Sequence, residues 1–177
     1  MYWMADVHEG LSTCRVLQNV RHAMAEFEMT FKDSDNNLIV IMPHVAERLL
    51  AHKQVKSDSA EAAGVIIGER RGNHLVIQHI SEPGQDDRRS RYAVDRCSRI
   101  HQLEVDQAFY QSGGTFQYLG EWHTHPEDYP IPSPRDLKSW RKYLTDPEPM
   151  VLIIVGLSQI WVAKKAGSDI VPLTEIT

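Results

Sequence analysis

The chain has 177 residues, with 24 Asp and Glu against 19 Lys and Arg and a formal net charge of −5, a size that fits one domain. The mild acidity counts against a sequence-independent nucleic-acid binder, whose affinity comes from cations on phosphates, and a hydrophobic content of 42% excludes a largely disordered chain. The apolar run Val151 to Leu157 is far short of the roughly 20 residues that cross a bilayer. No signal peptide is legible behind Met1, and Cys14 and Cys97 make no disulfide framework. The expectation is a cytoplasmic protein with neither a membrane nor a nucleic acid as partner.

In chain order, residues 1–24 differ from the rest. Asp6 to Gly10 is polar and irregular, and a short helix over Leu11 to Glu26 would put Val16, Leu17, Val20 and Met24 on one side. This stretch reads as an N-terminal extension, helical or disordered, ahead of a domain spanning 25–177. Phe27 to Phe31 alternates like a strand, Asp33 to Asn37 is a polar turn, and Leu38 to Met42 is a second strand, together a hairpin. Pro43 sits where a helix begins, and Val45, Leu49 and His52 follow at helical spacing. Glu61-Ala-Ala-Gly64-Val-Ile-Ile-Gly68 reads as a buried strand opened by a carboxylate, Arg71 to Asn73 as a turn, and Leu75 to Ile80 as a strand.

Pro83 to Arg91 is a loop of mixed charge, read as a solvated surface or as a grip on a partner through Arg88, Arg89 and Arg91. A helix is expected over Asp95 to Gln111, with Cys97, Ile100 and Leu103 on its apolar face and Ser112-Gly-Gly ending it. Phe116 to His125 is a strand, Ser133 to Leu144 a helix, Met150 to Gly156 a buried strand, and Ile160–Ala163 and Ile170–Leu173 closing strands. Strands and helices mix without strict alternation or internal repeat. The class is α/β (α+β): one three-layer domain around a mixed sheet.

The chemistry concentrates in Glu121-Trp-His123-Thr-His125-Pro and Ser133-Pro-Arg-Asp136. On a strand, residues i and i+2 share a face, so His123 and His125 offer two imidazoles side by side, half of a zinc site. Asp136 follows after a loop, near enough to turn back as a third ligand. Three protein ligands plus water make a catalytic rather than a closed structural site. Each residue also has a plainer reading. Ser133-Pro134-Arg135-Asp136 is a helix start, with serine at the N-cap, proline at N1 and an acid by the first-turn amides. Glu61 reads equally as an ordinary strand opener, and Glu121 shares the strand face of the histidines. Cys97 and His101 stand at i and i+4, but a buried structural cysteine is the commoner case. His8, His22, His44, His52, His74 and His79 show no ligand spacing, and Gly64 and Gly68 make no dinucleotide fingerprint.

The spacing His-x-His-x7-Ser-x2-Asp, with the distant Glu61-x-x-Gly64 ahead of a Gly-bounded strand, resembles the JAMM (MPN+) zinc metalloproteases over roughly residues 27–173. The resemblance implies a JAMM fold holding one zinc per chain on His123, His125 and Asp136. Glu61 would be its general base, and Ser133 would help hold the tetrahedral oxyanion. The wording Gly120-Glu-Trp-His-Thr-His-Pro-Glu, with Pro132, Ser133 and Trp140, is most similar to a small bacterial branch, the JAMM peptidases of CBASS anti-phage operons. These are found beside a ubiquitin-type activating/conjugating enzyme and a cGAS-like nucleotidyltransferase, whose C-terminal conjugation to other proteins the peptidase reverses. The implied function is thus a zinc-dependent isopeptidase acting on a C-terminally conjugated protein. Two rivals belong beside it: a JAMM peptidase processing a ubiquitin-like sulfur-carrier protein, and a non-catalytic MPN scaffold. Scaffolds typically lack metal ligands.

Overall fold

The structure, a computed structural model, describes residues 28–176. The boundary expected after residue 24 and the helix drawn over Leu11 to Glu26 lie outside the described residues. The described elements run in the order β1 (Met29–Lys32), β2 (Leu38–Ile41), α1 (Pro43–Ala51), β3 (Ala63–Arg71), β4 (His74–Ile80), β5 (Arg88–Ser90) and β6 (Ala93–Asp95). Then come α2 (Ile100–Gln111), β7 (Gln117–Thr124), α3 (Pro134–Tyr143), β8 (Met150–Val155), β9 (Ile160–Ala166), β10 (Asp169–Pro172) and β11 (Thr174–Ile176). None of the described helices is long and apolar enough to cross a membrane.

Nine strands form one mixed sheet in the order β10-β9-β8-β7-β3-β4-β2-β1-β11, and β5 and β6 make a separate hairpin. The pairs β2–β4 and β7–β8 are parallel, and the others in the sheet are antiparallel. The period of two along β8 divides the core. Val151, Ile153 and Val155 pack with Val45, Ala46 and Leu49 of α1 on one face. Met150, Leu152 and Ile154 pack with Trp140 and Leu144, at and just past the end of α3, on the other. Helix α2 lies on that second face too, through Ala108 against Val65 and Ile67 of β3. Sheet and helices thus make the expected three layers, and a strand buried on both faces reads as a continuous apolar run, as β8 does.

At the centre of the first face Trp122 is fully buried and donates its indole N–H to the Ser81 carbonyl at 3.0 Å. Gly64 makes this possible. A Cβ there would lie 2.0 Å from Ser81 O and 2.5 Å from Trp122 Nε1. The sequence shows the glycine but not what it clears space for.

Three expectations are corrected. The helix expected from Asp95 starts at Ile100, because residues 93–95 pair with β5. Cys97 is exposed ahead of that helix, not buried on its apolar face. Leu103, also expected inward, is 55% exposed, while His101 is buried in its place. His101 can be buried because both ring nitrogens are satisfied: Nε2 lies 3.0 Å from Asp87 and Nδ1 2.6 Å from the Ser81 hydroxyl. The 83–91 segment, read as loop throughout, contributes β5. Beyond the expected strands, β11 pairs with β1 at the sheet edge.

Candidate metal centre

Strand β7 turns alternate side chains to opposite faces, so burying Trp122 against α1 commits Glu121 and His123 to the face of α2 and α3. Register fixes what stands beside them. Ala63 of β3 lies opposite His123, and β3 runs antiparallel to β7. The residues entering β3 therefore arrive at the end where β7 leaves the sheet. Glu61, two residues before β3, comes to the histidines for this reason.

Helix α3 supplies the remaining group. Ser133 and Asp136 form a reciprocal capping box: Ser133 Oγ accepts from the Asp136 amide at 3.2 Å, and the Ser133 amide donates to Asp136 Oδ2 at 2.7 Å. The cap that the sequence offered as an alternative to a functional role is thus present, and it orients the Asp136 carboxylate. Asp136 Oδ1 lies 3.6 Å from His123 Nε2, and Oδ2 lies 3.4 Å from His125 Nε2. The two Nε2 atoms are 3.0 Å apart. Glu61, His123 and His125 each turn one ligand atom to a common point, all within 4.8 Å of one another.

These spacings and this donor set fit a small divalent cation. Ligands about 2.0–2.1 Å from a tetrahedral zinc sit roughly 3.3 Å from one another. Two imidazole nitrogens and a carboxylate this close make a donor set of the kind that binds zinc. His125 carries an outer partner as well, Glu127, whose carboxylate lies 3.2 Å from Nδ1. A carboxylate there fixes Nδ1 as the protonated nitrogen and leaves Nε2 free to ligate. Trp140 packs beside His123 with ring centroids 5.6 Å apart, and stacks in turn on Trp161.

Burial sets the electrostatics. It pushes the Glu61 carboxyl up from 4.5 to about 7, with the Asp136 charge adding and His125 opposing. Burial likewise lowers His123, the Asp136 carboxylate only partly opposing it. For His125, burial is outweighed by the carboxylates of Asp136, Glu127 and Glu61, and its pKa rises. Asp136, despite burial, is held well below the usual carboxylate range by both histidines and Ser133.

All five residues singled out in the sequence, Glu61, His123, His125, Ser133 and Asp136, line one cleft. The competing carboxylate, Glu121, lines it too, but pairs with the Arg96 guanidinium and accepts from the Tyr118 hydroxyl at 3.3 Å. Arg96 and Glu127 were missed. Glu127, two residues past His125, could have been found as a carboxylate within reach of the ring. Nothing in the sequence ties Arg96 to Glu121, 25 positions away.

The chain matches the family of prokaryotic homologs of the JAB domain over residues 43–166. It belongs to that family. A CD-NTase/cGAS isopeptidase of Vibrio cholerae serotype O1 is 52% identical over 142 residues, 80% of this chain and 91% of that protein. A protein of the same name from Escherichia coli (strain TW11681) is 51% identical over 143 residues, 81% of this chain and 92% of that protein. The solution structure of protein DSY2949 from Desulfitobacterium hafniense shares the fold, with a TM-score of 0.54 at 20% identity, covering 78% of this chain and 89% of that one. The JAMM resemblance read from the motif is therefore correct, and the chain is a hydrolase of the JAMM type.

In this JAB domain two of the three arginines of the mixed-charge segment, Arg89 and Arg91, have internal partners, while Arg88 is exposed. Arg89 donates to the Glu61 and Ala60 carbonyls, and Arg91 to that of Lys56. The alternative of a Cys97–His101 pair is overturned: His101 bonds to Ser81 and Asp87, and Cys97 stands exposed.

Proposed function

We propose that this JAB-family hydrolase is a zinc-dependent isopeptidase that releases a cGAS-like nucleotidyltransferase joined through its C-terminus to other proteins. The convergence of Glu61, His123, His125 and Asp136 in one cleft carries the reading. The two relatives that are about half identical to the chain, both named for an isopeptidase of such a substrate, support the choice of conjugate. A ubiquitin-type activating/conjugating enzyme would build the bond that this protein breaks.

His123, His125 and Asp136 are assigned as ligands of one zinc per chain. When bound, the zinc supplies Lewis acidity that brings water's pKa to about 7 and polarises the scissile carbonyl. Glu61 takes the proton of the attacking water and returns one to the departing lysine amine. A carboxyl raised toward neutrality by burial suits both halves of that exchange. The Ser133 hydroxyl accepts from the Asp136 amide and keeps its own proton to donate to the oxyanion. Glu121, engaged by Arg96, is left as a wall of the cleft.

The test is to incubate the protein with a nucleotidyltransferase conjugated by its C-terminus to a lysine and identify the products by mass spectrometry. A free C-terminal carboxylate and a free lysine amine are expected. Cleavage of a sulfur-carrier fusion with the conjugate left intact would favour the rival peptidase.

A further inference from the structure

Glu61 lies outside the main sheet, since β3 begins two residues later. Its main chain is held by the β5–β6 hairpin. The Glu61 amide donates to the Ser90 carbonyl at 2.7 Å. Arg89 Nε donates to the Glu61 carbonyl at 2.6 Å, and a second guanidinium nitrogen to the Ala60 carbonyl at 3.2 Å. At the next residue the support changes sides. The Ala62 amide donates to Thr124 Oγ1 at 2.9 Å, and the Ala62 carbonyl accepts from the Thr124 amide at 2.9 Å. Thr124 stands between His123 and His125, so at Glu61 the support of the main chain passes from the hairpin to the histidine strand.

The hairpin is itself anchored. Buried Gln54 donates to the Ser59 carbonyl at 3.1 Å and the Arg91 carbonyl at 2.8 Å, and accepts from Thr124 Oγ1 at 3.0 Å. Upstream of β5, Asp87 accepts from the Gly84 and Ser98 amides at 2.8 and 2.9 Å and from His101 at 3.0 Å. Arg89 therefore works from a fixed base. It is exposed, yet its guanidinium faces two carbonyls of its own chain and not the cleft.

We propose that Arg89 is a positioning residue for Glu61: by fixing the Glu61 carbonyl it sets where the carboxylate stands over the reacting water. The proposal rests on the reading of Glu61 as the base. A proton acceptor must lie within hydrogen-bond reach, and a misplacement of about 1 Å can cost on the order of a hundredfold. Removing Arg89 leaves the Ser90 bond and the Ala62–Thr124 pair in place, so the displacement is partial.

Arg89→Ala, Arg89→Lys and Glu61→Gln are compared with the surface control Arg71→Ala on the C-terminal conjugate, with zinc content and amide exchange at Glu61 measured on the same proteins. Arg89→Ala should lose about tenfold in kcat with KM within about twofold, because a transition-state placement is lost and not substrate binding. Its zinc content should be unchanged and its Glu61 amide should exchange faster. Arg89→Lys, which reaches one carbonyl, should recover part of the rate. A raised KM at unchanged kcat would make Arg89 a substrate contact and overturn the proposal, as would loss of zinc. Unchanged kcat in Arg89→Ala beside an inactive Glu61→Gln would overturn the positioning role and leave the base reading standing. A fully active Glu61→Gln would overturn the base reading and the proposal with it.

Discussion

The two cleft glutamates differ by their neighbours. Glu61 is buried beside His125 with no cation hydrogen-bonded to its carboxylate among the described contacts, whereas the Glu121 carboxylate is spent on Arg96 and Tyr118. Glu61→Gln keeps the side chain's shape but cannot accept a proton. Loss of a general base is worth about 10²–10⁴-fold, so kcat should fall by that order while zinc stays bound. Glu121→Gln should lose much less, and turnover with zinc analysis separates the two. The pH profile carries a sign. A base acts only when ionised, so kcat/KM must rise with pH through the Glu61 pKa. Burial lifts that pKa from 4.5 to about 7, and a cation on the neighbouring ligands pulls it back, so the acid limb should fall between those values. The spacing made both glutamates visible, but a strand face alone could not rank them. The resemblance to the JAMM enzymes put Glu61 first, and the structure adds a physical reason: Arg96, which reaches Glu121 only through the fold of the 82–99 segment, occupies that carboxylate.

Helix α3 carries two jobs on one turn. Ser133 caps the helix and is also assigned to the oxyanion, and different replacements part the two. Ser133→Ala should cost about 0.5–2 kcal/mol of stability through the lost cap, together with activity. Ser133→Asp, a good cap with no proton to give, should recover stability in thermal melts and leave kcat low. Full recovery of both would make the serine a cap alone. Elements with strong local signals were legible: Pro43 at N1 of α1, Ser133 and Pro134 opening α3, and the apolar run of β8. Helix α2 was misplaced because its inward face holds His101, a polar residue satisfied by Ser81 and Asp87. No hydrophobic period reports such a residue. The hairpin β5–β6 escaped notice because its strands are three residues each, too short to show a period, and its bonds run to distant carbonyls.

At the scale of the whole molecule, parallel pairing of β7 with β8 and antiparallel pairing of β7 with β3 bring residues 61, 123, 125 and 136 to one end of the sheet. Strand order is a tertiary property, so the sequence supplied the residues and their family likeness supplied the juxtaposition. A chain starting at Met24 retains every described element, beginning with β1 at Met29. It should fold and cleave the conjugate nearly as well as the full chain. An insoluble or inactive product would show that Val16, Leu17 and Val20 belong to the core or to an oligomer contact. The central claim is that His123, His125 and Asp136 hold a zinc on which hydrolysis depends. Elemental analysis of protein purified without added metal, paired with turnover before and after chelation, tests it most directly. About one zinc per chain is expected, lost in His123→Ala and Asp136→Ala because each leaves too few ligands, with chelation abolishing hydrolysis and zinc restoring it. Full turnover by metal-free protein would contradict the account.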